Sequence, residues 1–179
     1  MREKIKDLNV NSNISKKKLL KLLKNELDDI HIFDIMDSYV QLVEDGKYVH
    51  SQYQKEYLDA YIKGFLIRVK EIKDNKIDYK GTIDNQKLQD ALNILNEQKK
   101  MVEKERSIES NFFRIYEAVS LYTTFILEES IHIVGTLFPG GFRVKFKENI
   151  YYCPVKEKQK DNPGAVCGFC IAEQDEDVL

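Results

Sequence analysis

The chain has 179 residues, of which 42% are hydrophobic and 32% charged, and its 28 Lys+Arg against 30 Asp+Glu leave a net charge of −2. That is about one domain's worth of chain, and the near-neutral balance argues against a bulk polyanion binder, which carries a basic excess. A mean hydropathy of −0.47, with no run of ~18 apolar residues, excludes a membrane-spanning helix.

The opening residues MREKIKDLNVNSNIS contain no apolar stretch of a secretory signal. The three cysteines are therefore expected as reduced thiols or metal ligands in a cytoplasmic protein, not as a disulfide framework. The first 132 residues hold no proline and only Gly46, Gly64 and Gly81, whereas all three prolines and all three cysteines follow His132. Proline and glycine punctuate chains. Residues 1–132 thus read as a helical bundle, and residues 133–179 as a β-hairpin and Cys-rich loop packed on it, together one compact domain.

Ser15 is placed to cap a first helix with Leu19, Leu20, Leu23, Leu27 and Ile30 on one face. A second starts near Asp28–Asp29, turns Ile32, Met36, Tyr39, Val40 and Val43 inward, and ends at Gly46. The clearest is the third: Tyr53, Tyr57, Tyr61, Phe65 and Val69 recur every fourth residue, joined by Leu58, Ile62, Leu66 and Ile72. Residues 74–83 read as a loop. Leu88, Ala91, Leu92, Leu95 and Val102 define a fourth helix from about Asp84. Ser107 is placed to cap a fifth, with Ile108, Phe112, Ile115, Tyr116, Val119, Tyr122 and Ile126 inward, unless the last two form one long helix. Tyr57, Tyr61, Phe65, Phe112, Tyr116 and Val119 are expected among the most buried side chains.

After His132 the pattern changes. Phe142, Val144 and Phe146 alternate with Arg143, Lys145 and Lys147, the period of a half-buried strand. Glu148-Asn149 reads as a turn and Ile150-Tyr151-Tyr152 as its return strand. The chain then reads as loop through Cys170, with a frayed acidic tail EQDEDVL. The predicted fold class is mainly α: a bundle of four to six helices with a small C-terminal β-hairpin and a Cys-bearing loop.

Cys153, thirteen residues, then Cys167-Gly168-Phe169-Cys170 is the strongest chemical signal. A C-x-x-C turn offers two thiolates to one metal, and a third from a nearby hairpin completes a face of the site. The second C-x-x-C of a zinc ribbon is missing, so the fourth ligand must come from elsewhere. His132, at the hand-over between the two parts, is the candidate. Cys153, Cys167, Cys170 and His132 would form a zinc site stapling the tail to the bundle. Three thiolates with an open iron would suit an iron–sulfur cluster instead, and three buried, unliganded thiols are the bland reading.

Other features carry less. Glu129-x-x-His132 resembles half of a di-iron site, with Asp28-x-x-His31 as an imperfect partner, against the plain reading of a solvated acid and a helix-end histidine. Gly135-Thr-Leu-Phe-Pro-Gly-Gly141 lacks the Lys-Ser/Thr step of a phosphate loop and reads as a structural turn. Lys16, Lys17, Lys18, Lys21 and Lys24 read as a solvated face. Nucleic acid is not expected as a partner, nor a membrane. An unidentified protein partner or self-association is.

The run His132-I-V-G-T-L-F-P-G-G-F-R-V, with Tyr152-Cys153-Pro154 and Cys167-G-F-Cys170, resembles an archaeal family of uncharacterised proteins, domain of unknown function 2115, found mainly in methanogens. The resemblance is most specific over residues 132–174. It implies a cytoplasmic archaeal protein and no activity. The functional expectation is a small metal-binding helical protein serving as a structural or regulatory interaction module. The alternative is a metalloenzyme or iron–sulfur protein with an open metal position near His132 and Glu129.

Overall fold

The computed structural model describes residues 5, 8, 13–45, 51–106 and 111–178. The expected roles of Gly46, Ser107 and Ile108 fall outside them, as does the link between the fourth and fifth helices. The long elements are helices α1 (Lys16–Leu27), α2 (Ile32–Asp45), α3 (Ser51–Asp74), α4 (Asn85–Arg106) and α5 (Asn111–Leu121). The fold is mainly α with a small β element near the C-terminus.

Helix α1 begins where expected: Ser15 Oγ accepts a hydrogen bond from the Lys18 amide at 3.1 Å, satisfying one orphan donor of the first turn. Its apolar face is buried from Leu19 to Leu27, and Ile30 just beyond it is buried too. Just before it, strand β1 (Ile14–Ser15) pairs antiparallel with β2 (Thr82–Ile83), inside a stretch that reads as loop. Two-residue strands are too short for the alternation test to see.

Helix α2 starts later than expected, at Ile32. Asp34 reaches back to the His31 amide at 2.7 Å, the acidic half of a capping box. Its inward face is also different. Leu42 is buried, with Ile35 and Val43 packed beside it, while Ile32, Phe33, Met36, Tyr39 and Val40 are exposed. The helix carries apolar residues on two faces, so periodicity alone picks the larger stripe, and that stripe is the solvent one.

Helix α3 buries Ile62, Phe65, Val69 and Ile72 as its spacing predicts. Its rings continue into α5: Phe65 lies 6.3 Å from Phe112 and 6.0 Å from Tyr116. Phe65 and Val119 are deeply buried, but Tyr57, Tyr61, Phe112 and Tyr116 are only half-buried. Helix α4 is capped by Asp84, whose carboxylate accepts from the Gln86 and Lys87 amides, and it buries Leu88, Ala91 and Leu95.

Helix α5 packs on α1, α2 and α3. It does not end cleanly. Tyr122–Leu127 widen into a π-helical turn that closes at Glu128, in the left-handed region at φ 56°, with both the Glu128 and Glu129 amides donating to the Thr123 carbonyl. From here the chain enters the C-terminal unit. Strand β3 (Lys145–Lys147) pairs antiparallel with β4 (Ile150–Cys153) in the register Lys147 to Ile150. Glu148 and Asn149, both at positive φ, make the expected tight turn. Val144 is buried, whereas Phe142 and Phe146 stay exposed.

The tail departs from expectation. Glu173–Gln174 form β5, parallel to β4, Asp175 is buried, and Lys145 binds both Asp175 and Asp177. An acidic tail is held here because a lysine on the facing hairpin neutralises it. Between β4 and β5 lie a one-turn helix α6 (Lys156–Gln159) and a 3-10 turn at Val166–Gly168. The apolar residues form two clusters: a large one within the helices, and a small one at Phe138, Val144, Cys153 and Ala172.

Candidate functional site

The four predicted ligands border one cavity beside the small cluster. Cys153 ends β4, Cys167 sits in the 3-10 turn, and Cys170 follows as that turn unwinds with its amide bonded to the Val166 carbonyl at 3.0 Å. Cys153 and Cys167 are buried and Cys170 half-buried; all three are free thiols. His132 follows the π-helical turn. Its ring lies 5.5 Å from that of Tyr61 and 5.2 Å from that of Phe138. All four side chains line one cavity of about 10 Å³, roughly the room of a single small atom or water.

The electrostatics are those of a dry pocket. Burial pushes the Cys167 thiol up to about 11, with the neighbouring Cys153 and Cys170 adding to the effect. Burial also raises Cys153, against the opposing pull of the Val155 amide and Lys156. Desolvation drives His132 down to about 4, so its imidazole is neutral at physiological pH. A neutral imidazole offers a metal its free lone pair, whereas the thiols must give up their protons to bind one.

Lys156 is the residue the sequence reading missed. It lines the cavity, and its ammonium donates to the Cys170 carbonyl at 2.7 Å and to the Cys167 carbonyl. One lysine on α6 thus clamps the C-x-x-C turn and places a positive charge beside three sulfurs. A lysine three residues after a cysteine has no sequence signature of that role. Ser130 supports the other wall, its hydroxyl donating to the His132 carbonyl at 2.6 Å.

As placed, no group of three or more His, Cys, Asp or Glu side chains among the described residues could hold a metal ion. The di-iron reading accordingly finds no cluster. Glu129 is committed to the half-buried guanidinium of Arg68, and the exposed His31 stands at the start of α2. The glycine loop is structural: Gly135 donates to Val144 and Phe138 to Phe142, with Gly140 and Gly141 at positive φ. Of the basic run, Lys16 pairs with Glu128, Lys17 with Asp78, and Lys24 donates to the Asn75 carbonyl.

Residues 15–175 match the family described as uncharacterised protein conserved in archaea, domain of unknown function 2115. The chain belongs to this family. Among its relatives is a UPF0305 protein of Methanothermobacter thermautotrophicus, 39% identical over 89% of this chain and 96% of the relative. Others are UPF0305 proteins of Methanocaldococcus jannaschii, 31% identical over 88% and 94%, and of Methanococcus maripaludis, 32% identical over 88% and 95%. No solved structure matches the chain. The family match runs through both the helices and the Cys-bearing unit, and stops just short of the last residues. No helix among the described residues is long and apolar enough to cross a membrane.

Proposed function

We propose that the C-terminal unit is a zinc site of three thiolates and one imidazole, Cys153, Cys167, Cys170 and His132, in a protein that acts as a structural or regulatory interaction module in the cytoplasm. The observation that carries this reading is convergence: four soft or borderline ligands from three separate stretches of chain line one cavity the size of one atom. Zinc favours a closed four-ligand set of this composition. Three thiolates and one neutral imidazole around a divalent cation leave a net charge of −1, which Lys156 offsets. Drawing the four side chains onto the metal would tie β4, the 3-10 turn and the end of the α5 segment together.

The exposed apolar stripe of α2 supports the interaction-module part of the reading, since helix faces of this kind serve as contact surfaces. An open metal position served by Glu129 is disfavoured, because Arg68 already engages that carboxylate. The test is elemental analysis with a visible spectrum on protein purified without oxygen. One zinc per chain, colourless, is expected, and Cys167→Ser should lose it. A chain that takes up no zinc from a micromolar solution, or a brown chain carrying iron and sulfide, would refute the reading.

A further inference from the structure

A second, larger cavity adjoins the thiols. It is an open cleft of about 490 Å³ between the start of α4, the π-helical turn and the Phe169–Ile171 segment, with Cys170 on the wall it shares with the first cavity. Three observations point to an occupant. Thr124 lines the cleft and is 4% exposed, yet its hydroxyl has no hydrogen-bond partner. A helical threonine ordinarily returns its hydroxyl to the preceding turn; a buried one without a partner is costly unless a ligand completes it.

The π-helical turn that holds Thr124 is the second observation, since such insertions are rare and gather at functional sites. The third is the charge pattern. Lys87 and Asp90 stand one helical turn apart on the cleft face of α4, with no ion pair to either among the described residues, and the Asp90 carboxylate accepts one hydrogen bond, from the Gln86 side-chain amide at 2.9 Å. Lys16 and Glu128 are by contrast paired at 2.8 Å. Phe125, Ile83 and Phe169 supply an apolar wall.

We propose that this cleft binds a small zwitterion of the α-amino-acid class with an apolar side chain. Lys87 takes the carboxylate, Asp90 the ammonium, and Thr124 a further hydrogen bond, while the side chain lies against Phe125 and Phe169. The volume falls in the range of small-molecule sites. A polyphosphate does not suit it, because three carboxylates (Asp84, Asp90 and Glu128) face two lysines there. The inference rests on the cleft and not on a bound metal.

The test is calorimetric titration of the full chain with L-phenylalanine and L-leucine. Saturable one-to-one binding is expected, at least about tenfold weaker for phenethylamine, which lacks the carboxylate, and for N-acetyl-L-phenylalanine, which lacks the ammonium. Thr124→Val keeps the side-chain shape. It should weaken binding about tenfold while leaving the melting temperature of the free protein unchanged or higher, because it removes an unpaired buried hydroxyl. Lys87→Gln and Asp90→Asn, both on the surface, should each weaken binding with folding intact. No binding of either amino acid at millimolar concentration would overturn the proposal. So would an affinity for either charge-deleted analogue equal to that for L-phenylalanine, or undiminished binding by Thr124→Val.

Discussion

Phe65→Ala and Phe33→Ala form a matched pair, because the two phenylalanines have the same chemistry and opposite surroundings. Phe65 is 4% exposed and Phe33 74% exposed. The Phe65 ring lies among Tyr61 at 5.8 Å, Tyr116 at 6.0 Å and Phe112 at 6.3 Å, so truncation removes three aromatic contacts as well as buried area. The transfer term for a fully buried phenylalanine is about 2–3 kcal/mol, and a cavity that α3 and α5 cannot collapse brings the total to about 3–5 kcal/mol. In urea, with a slope of about 2 kcal/mol/M, the midpoint should fall by roughly 2 M at unchanged slope. Phe33→Ala removes a side chain already in water and should stay within about 0.5 kcal/mol. A Phe65→Ala loss under about 1 kcal/mol, or equal losses for the two, would refute the placement of the α3–α5 core.

Glu117 is held up to about 7 by burial and by the nearby Glu26, against the pull of Lys99. Its folded value lies above the unfolded one, so the folded state keeps a proton that the unfolded state releases. Stability should therefore fall as pH rises from about 4.5 to about 7 and flatten above, by at most about 3 kcal/mol and less after allowance for partial exposure. Glu117→Gln should remove that slope in urea titrations taken across the window; an unchanged slope would sink the assignment. Gly64→Ala sets two rules against each other. A helix interior gains about 1 kcal/mol from alanine, but a Cβ there would sit 2.7 Å from the Ile133 Cγ2, beside the backbone that carries His132. Overpacking of about 1–3 kcal/mol should win, so a melting temperature that rises would show that Ile133 yields freely.

Much of this architecture is legible in the sequence because its elements are long and their patterns one-sided. The faces of α1 and α3, the start of α4 near Asp84 and the Glu148-Asn149 turn each follow from local chemistry that tertiary contacts did not override. The failures share a cause. In α2 both faces are apolar, and the positions of α3 and α5 decide that Leu42 faces in and Met36 out. Strand β5 and the β1–β2 pair are two residues long, and their partners lie far away in sequence. The π-helical turn is one inserted residue, too small a phase shift for a 3.6-residue pattern to register. The cysteines were legible as a group because C-x-x-C is a local motif, whereas Lys156, which clamps that motif, has no motif of its own.

The thiol cavity and the adjacent cleft share Cys170, and that shared wall has a physical consequence. The segment from Val166 to Ile171 is held from one side by Lys156, through the Cys167 and Cys170 carbonyls, and from the other by its packing on α4, where Gly168 meets Ile94. A change in the Cys170 sulfur position would reach the cleft through Phe169 and Ile171, the lining residues on either side of Cys170. Under the zinc reading, loading the cavity would set the position of the cleft's apolar wall. The two sites would then be coupled reciprocally, each ligand altering the affinity of the other by the same factor. An orphaned Thr124 hydroxyl on the opposite wall, held by the π-helical turn that also leads to His132, places both sites at the ends of one short run of chain.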